Sequence, residues 1–267
     1  MTNFKEKYGP WALVTGATSG IGEQLADQLA AAWLNIVLVA RKEKELIQKA
    51  KLLSEKHHIK TATIPADLST TKGVEQVISE SKAHEIGLLV LAAGLEVNGA
   101  FEKNDISKEM QVLQLNVVST VALSHHFIGP MIGRGKGGIL MVASLSGHMP
   151  NPYFANYAGS KAFVLNFGAS LYGEMKPKGV DIAVLSPGLT QTPMSTSTGV
   201  NWRKTPMKAM TADAVATAGL KKLGKGFLAV PGFANNVMAG MAKHSPLGML
   251  STMNEKMMKK AIDPAKL

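Results

Sequence analysis

Short apolar runs of strand length alternate along this chain with longer stretches in which apolar residues recur at helical spacing. The strand-like runs are Trp11–Thr15, Ile36–Ala40, Thr61–Ile64, Leu88–Ala92, Ile139–Ala143 and Ile182–Ser186, with a last one at Phe227–Val230. Between them, about Gly20 to Trp33, Glu43–His57, 71–83, 106–129 and 154–176 are long enough for crossover helices. The apolar runs are continuous rather than alternating, as in strands covered on both faces of a parallel sheet. This rhythm predicts an α/β fold: a doubly wound, mostly parallel sheet flanked by helices, with ligands at the strands' C-terminal ends.

After Pro187 the rhythm changes. Residues 189–210 are rich in Thr, Ser, Pro and Met and predict a loop or short helices. Thr211 is a good N-cap for a helix running to about Leu223. The Met-rich, basic stretch 233–263 has apolar residues at mixed helical spacing. The expected organisation is one catalytic domain over 1–232 and a helical extension over 233–267.

With 267 residues, 46% of them apolar, the chain can bury one large core. It has no cysteine, which excludes disulfides, thiolate metal sites and a cysteine nucleophile, and fits a reducing cytoplasm. The polar start Met1–Lys7 does not read as a secretory leader, and no apolar run is long enough to span a membrane. Residues 1–200 hold 18 Lys/Arg against 16 Asp/Glu, whereas 201–267 hold 11 against 3. That basic last quarter is a solvated surface or a face for anionic partners. No zinc finger or aromatic RNA-binding pattern points to nucleic acid. His57-His58 and His125-His126 are neighbours that do not face each other on a helix, and no third ligand accompanies them, so no metal site is expected.

Chemistry begins in the first turn. Gly16, Gly20 and Gly22, with Thr18, Ser19 and Ile21 between them, follow a strand and open a helix. There, glycines allow a tight turn whose N–H groups and helix terminus can hold a phosphate, the Rossmann-type arrangement for a dinucleotide. At the end of the second strand Ala40 stands where an acid would hold a free ribose 2′-hydroxyl. Arg41 and Lys42 follow and suit a 2′-phosphate, so NADP(H) is expected over NAD(H). Asp67-Leu68, after the third strand, either accepts from an adenine amino group or caps the next helix. Pro187-Gly188-Leu189-Thr190-Gln191-Thr192, after the sixth, offers backbone groups and two hydroxyls to a carboxamide.

Tyr157 and Lys161, four apart, share one helix face, where an ammonium can stabilise a phenolate and lower a phenol pKa that starts near ~10. Ser144 precedes the tyrosine by thirteen positions. Together with Asn116 and the glycine turn, these residues resemble the short-chain dehydrogenase/reductase family over about residues 10–230. The matches are Thr15-Gly-x-x-x-Gly-x-Gly22, Asn116, Ser144, Tyr157-x-x-x-Lys161 and Pro187-Gly188, in the family's order. The tail looks most like that of bacterial members acting on lipids and ketones. Two departures stand out. Leu91-Ala92-Ala93-Gly94 replaces the usual Asn-Asn-Ala-Gly, keeping the close backbone approach at Ala93 and Gly94 but losing the amides. Trp33 stands where the first crossover helix usually ends in glycine, so no left-handed cap is expected there, and the indole is expected to face outward or into a contact.

The resemblance implies an NADP(H)-dependent reductase of a ketone or aldehyde, or the reverse alcohol oxidation. Tyr157 would be the general acid or base. Lys161 would lower its pKa and hold the nicotinamide ribose. Ser144 would donate to the substrate oxygen, and Asn116 would orient Lys161 through a backbone carbonyl and a water, or serve as a buried structural amide. The pocket candidates Leu145, His148, Met149, Phe154, Leu189 and Met194, with Glu96 and Val97, are mostly apolar and suit a hydrophobic, lipid-like substrate. The rival reading is a catalytically idle dinucleotide-binding sensor or scaffold. The tail either packs on the fold or a subunit, or lies on a membrane through Lys243, Lys256, Lys259 and Lys260. The resemblance also implies a homo-oligomer, dimer or tetramer, built on the helices of 106–129 and 154–176.

Overall fold

The structure, a computed structural model, describes residues 4–267; the first three residues of the polar start lie outside the described residues. Helix α1 (Phe4–Tyr8) leads into β1 (Trp11–Thr15), α2 (Gly20–Ala31), β2 (Asn35–Ala40), α3 (Glu43–His57) and β3 (Thr61–Pro65). Then come α4 (Thr71–Glu80), β4 (Ile86–Leu91), α5 (Ile106–Leu113), α6 (Ser119–Gly133), β5 (Gly137–Val142), α7 (Ala155–Met175) and β6 (Val180–Leu185). The last quarter adds β7 (Thr190–Gln191), α8 (Pro193–Ser197), β8 (Met210–Thr211), α9 (Ala212–Lys222), β9 (Leu228–Ala229), α10 (Phe233–Ala242) and α11 (Leu247–Ala261).

Seven strands pair in parallel in the order β3-β2-β1-β4-β5-β6-β9, and β7 pairs with β8 in a separate two-stranded ribbon. Every residue of β4 and β5 is buried, as their unbroken apolarity requires. On one face Leu25 and Leu29 of α2, Leu46 of α3 and Val215 and Leu220 of α9 close the core. On the other, Val77 of α4, Leu123 and Phe127 of α6 and Val164 of α7 do so. Each such side chain contributes roughly 1.5–3 kcal/mol by leaving water. The chain turns away from β1 toward β2 on one side and β4 on the other, and the crevice at that switch point is where ligands lodge in such sheets.

The structure departs from the sequence expectations at several element boundaries and turns. Strands β4 and β5 start two residues early, at Ile86-Gly87 and Gly137-Gly138, where glycines break the apolar run. Those glycines make room for α1: a Cβ on Gly138 would lie 2.9 Å from the Tyr8 ring, and one on Gly87 would lie 2.3 Å from the Tyr8 carbonyl oxygen. The 106–129 helix is divided by a π turn, Gln114–Val118. Trp33 does take a left-handed conformation, with φ 67°, and its indole is 60% exposed; the N–H of Trp33 bonds to Ala30 O and that of Leu34 to Leu29 O, closing the helix end without glycine. As expected, the 189–210 segment holds short helices, with Thr192 and Ser195 forming a reciprocal capping box on α8, and Thr211 caps α9 through Ala214 N.

The tail packs on the fold. Met258, Ala261 and Ile262 form a cluster with Phe154 and Val200, against which Tyr157 and Trp202 pack. Asn254 donates to Pro150 O at 2.7 Å. Among the described residues no helix is long and apolar enough to cross a membrane.

Candidate active site

The crevice is stitched by one side chain. Thr15 Oγ1 accepts from Ala92 N and Ala93 N at 3.0 and 3.1 Å and donates to Val90 O, locking the end of β1 to the end of β4. Gly16, at φ 67°, meets this junction so closely that a Cβ would lie 2.9 Å from Ala93 Cα. Gly22 lets α2 approach the turn, since a Cβ there would lie 2.3 Å from Gly16 O. Ser19 is the N-cap of α2 but makes no side-chain cap bond, which leaves the first-turn N–H groups open toward the crevice. These features fit a diphosphate.

Two connected hollows share Gly16, Ser19, Ala93 and Gly94. The outer one, about 250 Å³, is lined by Thr18, Arg41, Lys42, Asp67 and Leu68. Lys42 is paired with Glu45 at 2.7 Å, whereas Arg41 has no carboxylate partner among the described residues. Asp67 does not cap α4; Thr70 does, through Gly73 N. Instead Asp67 Oδ1 accepts from Ser69 N and Oγ.

The inner hollow, about 220 Å³, is walled by Gly20, Ile21 and Gly22 on one side and Ser144, Tyr157 and Lys161 on another. Pro187, Gly188, Leu189, Thr190 and Thr192 close it. Of the two threonine hydroxyls, that of Thr190 donates to Gly188 O and that of Thr192 takes part in the α8 cap. Ser144 sits just past β5, its Oγ accepting from Ser146 N, while Leu145 N bonds to Pro187 O.

Lys161, 5% exposed, donates from Nζ to Val142 O at 2.9 Å and lies 5.7 Å from the Tyr157 ring centroid. Asn116, in the π turn, stands behind the hollow. Its amide brackets Leu95, accepting from the N–H at 3.0 Å and donating to the carbonyl at 2.9 Å, and it also donates to Ser160 Oγ. Its own carbonyl accepts from Thr120 Oγ1 at 2.9 Å. A Cβ on Gly94 would be 3.5 Å from Lys161 Nζ and 3.6 Å from Asn116 Oδ1, so all three meet at one point.

Burial dominates the electrostatics of the inner hollow. Burial raises the Tyr157 phenol above its usual 10; the Glu96 charge adds to this, and a hydrogen bond with Ser144 opposes it. Burial lowers Lys161 from 10.5 to about 8, while Glu96 holds it up. Burial thus sets the direction of both shifts in the chain alone. Glu96, also in the inner hollow, is raised from 4.5 to about 7 by burial, opposed by Lys161 and Lys266.

A third cavity, about 500 Å³, joins the inner hollow through Leu145, Ser146, Asn151, Trp202 and Met207. Met238 and Met241 of α10 and Met253, Met257 and Met258 of α11 form much of its wall. Of the pocket candidates, Glu96, Leu145, Phe154, Leu189 and Met194 line the inner hollow and Met149 the large cavity; Val97 lines neither. His148 turns away to Ser186 Oγ at 2.9 Å. The tail's methionines are residues that local spacing does not connect to a site, because they reach it only through the packing of α10 and α11.

Comparison with known proteins agrees with this fold. The short chain dehydrogenase family model matches residues 10–201. A 7β-hydroxysteroid dehydrogenase of Clostridium sardiniense is 33% identical over 233 residues, 87% of this chain and 89% of that protein. A solved 7β-hydroxysteroid dehydrogenase superposes with a TM-score of 0.86 at 26% identity, covering 94% of this chain and 98% of that one. A short-chain dehydrogenase from Sphingobium yanoikuyae in complex with NADPH superposes with 0.80 at 25% identity, covering 88% and 94%. The chain belongs to the short-chain dehydrogenase/reductase family. It is an oxidoreductase of CH–OH and C=O groups that works with a nicotinamide dinucleotide.

Proposed function

We propose that this enzyme is an NADP(H)-dependent reductase of bulky hydrophobic ketones, or a dehydrogenase of the matching alcohols. The observation that carries this is the continuity of the Ser144–Tyr157–Lys161 hollow with the methionine-walled cavity. Their volumes together fall within the range of small-molecule sites. The hydroxysteroid dehydrogenases named above point the same way, toward rigid polycyclic substrates. Residues 233–267 act in this reading as an extension that roofs the substrate.

When bound, the nicotinamide supplies or accepts the hydride. Tyr157 Oη gives its proton to the carbonyl oxygen in reduction and takes one from the alcohol in oxidation. Ser144 Oγ donates to the same oxygen as negative charge grows on it. Lys161 holds the ribose hydroxyls with the N–H donors that Val142 O leaves free, and Asn116 keeps the Leu95 backbone against that junction. Because the chain alone raises the phenol pKa, the acidifying charge on Tyr157 comes with the oxidised cofactor. Arg41, with Lys42 beside it, takes the 2′-phosphate, and Asp67 faces the adenine. The exposed apolar residues Ile106 and Met110 of α5, Val118 before α6 and Phe163 of α7 support a homo-oligomer formed through those helices.

The test is a panel of bulky and small ketones followed by loss of NADPH absorbance. Turnover of the bulky members that disappears in Tyr157→Phe is expected. NADPH binding without turnover anywhere on the panel overturns the reading in favour of an idle module.

A further inference from the structure

The substrate side of the active site is mostly apolar, with a few polar side chains such as Ser146 and Asn151. Glu96 projects from the loop after β4 into the hollow that holds Ser144, Tyr157 and Lys161. Its Oε1 is buried and has no hydrogen-bond partner among the described residues. Most such groups in folded proteins are paired, and one left unpaired at a reaction site calls for a ligand. Neighbouring cations do not satisfy it. Lys161 gives a hydrogen bond to Val142 O, and Lys266 Nζ gives bonds to Asn98 Oδ1 at 3.0 Å and Thr198 O at 2.8 Å. Neither lysine forms a salt bridge with Glu96 within 4.0 Å. Tyr157 is the remaining ionisable group that feels Glu96, and it is neutral at rest.

We propose that Glu96 is a specificity-determining residue that accepts a hydrogen bond from a neutral hydroxyl on the substrate, close to the reacting carbonyl. The inference rests on the ketone-reductase reading and narrows its substrate class to hydrophobic hydroxy-ketones and diols. A hydroxyl fits better than an ammonium, because Lys161 and Lys266 already fill the neighbourhood with positive charge and would repel a third cation. The carboxyl accepts such a bond in either protonation state, so recognition does not depend on ionisation. A ligand lacking the hydroxyl leaves the buried oxygen unpaired, which is how a polar site rejects a deoxy analogue.

The experiment uses the full-length enzyme with NADPH and matched ketone pairs with and without a neighbouring hydroxyl, benzoin and deoxybenzoin among them. Wild type is expected to favour the hydroxy member by roughly tenfold or more in kcat/KM. Glu96→Leu is expected to lower the hydroxy member about tenfold more than the deoxy member, mainly through KM, and Glu96→Gln, which keeps an acceptor of the same shape, to restore part of the preference. Equal losses on both members overturn the proposal. So does a changed NADPH dissociation constant with an unchanged ratio, which would assign the donor to the cofactor instead. Absence of turnover on every pair in wild type, with NADPH bound, would instead remove the reductase reading on which the proposal stands.

Discussion

The two halves of the crevice are built by different means. The nucleotide half is made of backbone: glycines that admit close approach, an uncapped helix terminus, and one threonine stitching two strands. The substrate half is made of side chains, chiefly methionines borne on α10 and α11, which lie far along the chain from the Leu145–Asn151 loop across the cavity. Backbone sites are set by conformation and recognise a fixed ligand. Methionine walls are flexible and polarisable, and adapt to ligand shape.

The largest effect should come where the halves meet. With Tyr157 as the proposed proton donor, Tyr157→Phe, which keeps the ring, should lower kcat for ketone reduction by roughly 10²–10⁴-fold, with NADPH affinity measured by fluorescence little changed. A parallel collapse of NADPH affinity would show that the tyrosine serves binding rather than proton transfer.

Next in size is the pH dependence of stability. Glu96 in the folded chain titrates at about 7 against a usual 4.5, so the folded state holds its proton more tightly than the unfolded one. Stability is then undiminished below pH 4.5, declines as pH rises toward 7, and stays reduced above it. Glu96→Gln should therefore gain up to about 3 kcal/mol over wild type in urea unfolding at pH 8, and almost nothing at pH 4.5. A gain independent of pH would refute the raised carboxyl.

Within the nucleotide half, Arg41→Asp replaces the cation at the end of β2 with the acid that a 2′-hydroxyl prefers. The ratio of NADPH to NADH efficiency should fall by roughly 10–100-fold. Within the substrate half, Met207→Trp narrows the passage between hollow and cavity. KM for the bulkiest ketones should rise by about tenfold, while small ketones that stay in the inner hollow keep theirs. Equal effects on both sizes would mean that bulky substrates do not use the large cavity.

These halves also differ in how far the sequence reveals them. Strand β1 runs over the five residues its apolarity marks, Trp11–Thr15, and the glycine turn is recognisable from spacing because backbone demands fix residue type locally. Where the reading fell short, the cause is tertiary. Gly87 and Gly138 look like strand breakers until α1 is seen against them. Trp33 closes a helix left-handed against its own preference, because the Leu34 N–H gains a partner and the indole faces water. The π turn that places Asn116 leaves no mark in a helical pattern of apolar residues. The methionine cavity is the least legible part, since amphipathic spacing shows that a helix has an apolar face but not which neighbour it meets.

Lys266 ties Asn98, in the loop after β4, to Thr198, just past α8. With those segments tied, Met241 and Met253, each lining the large cavity yet more than half exposed, mark a side open to solvent. Such thioethers are open to peroxide, and each added oxygen would make the doorway polar. For an enzyme of bulky hydrophobic ketones, as proposed, oxidative stress would thus dull activity toward greasy substrates before it touched the chemistry, and sulfoxide reductases would restore it.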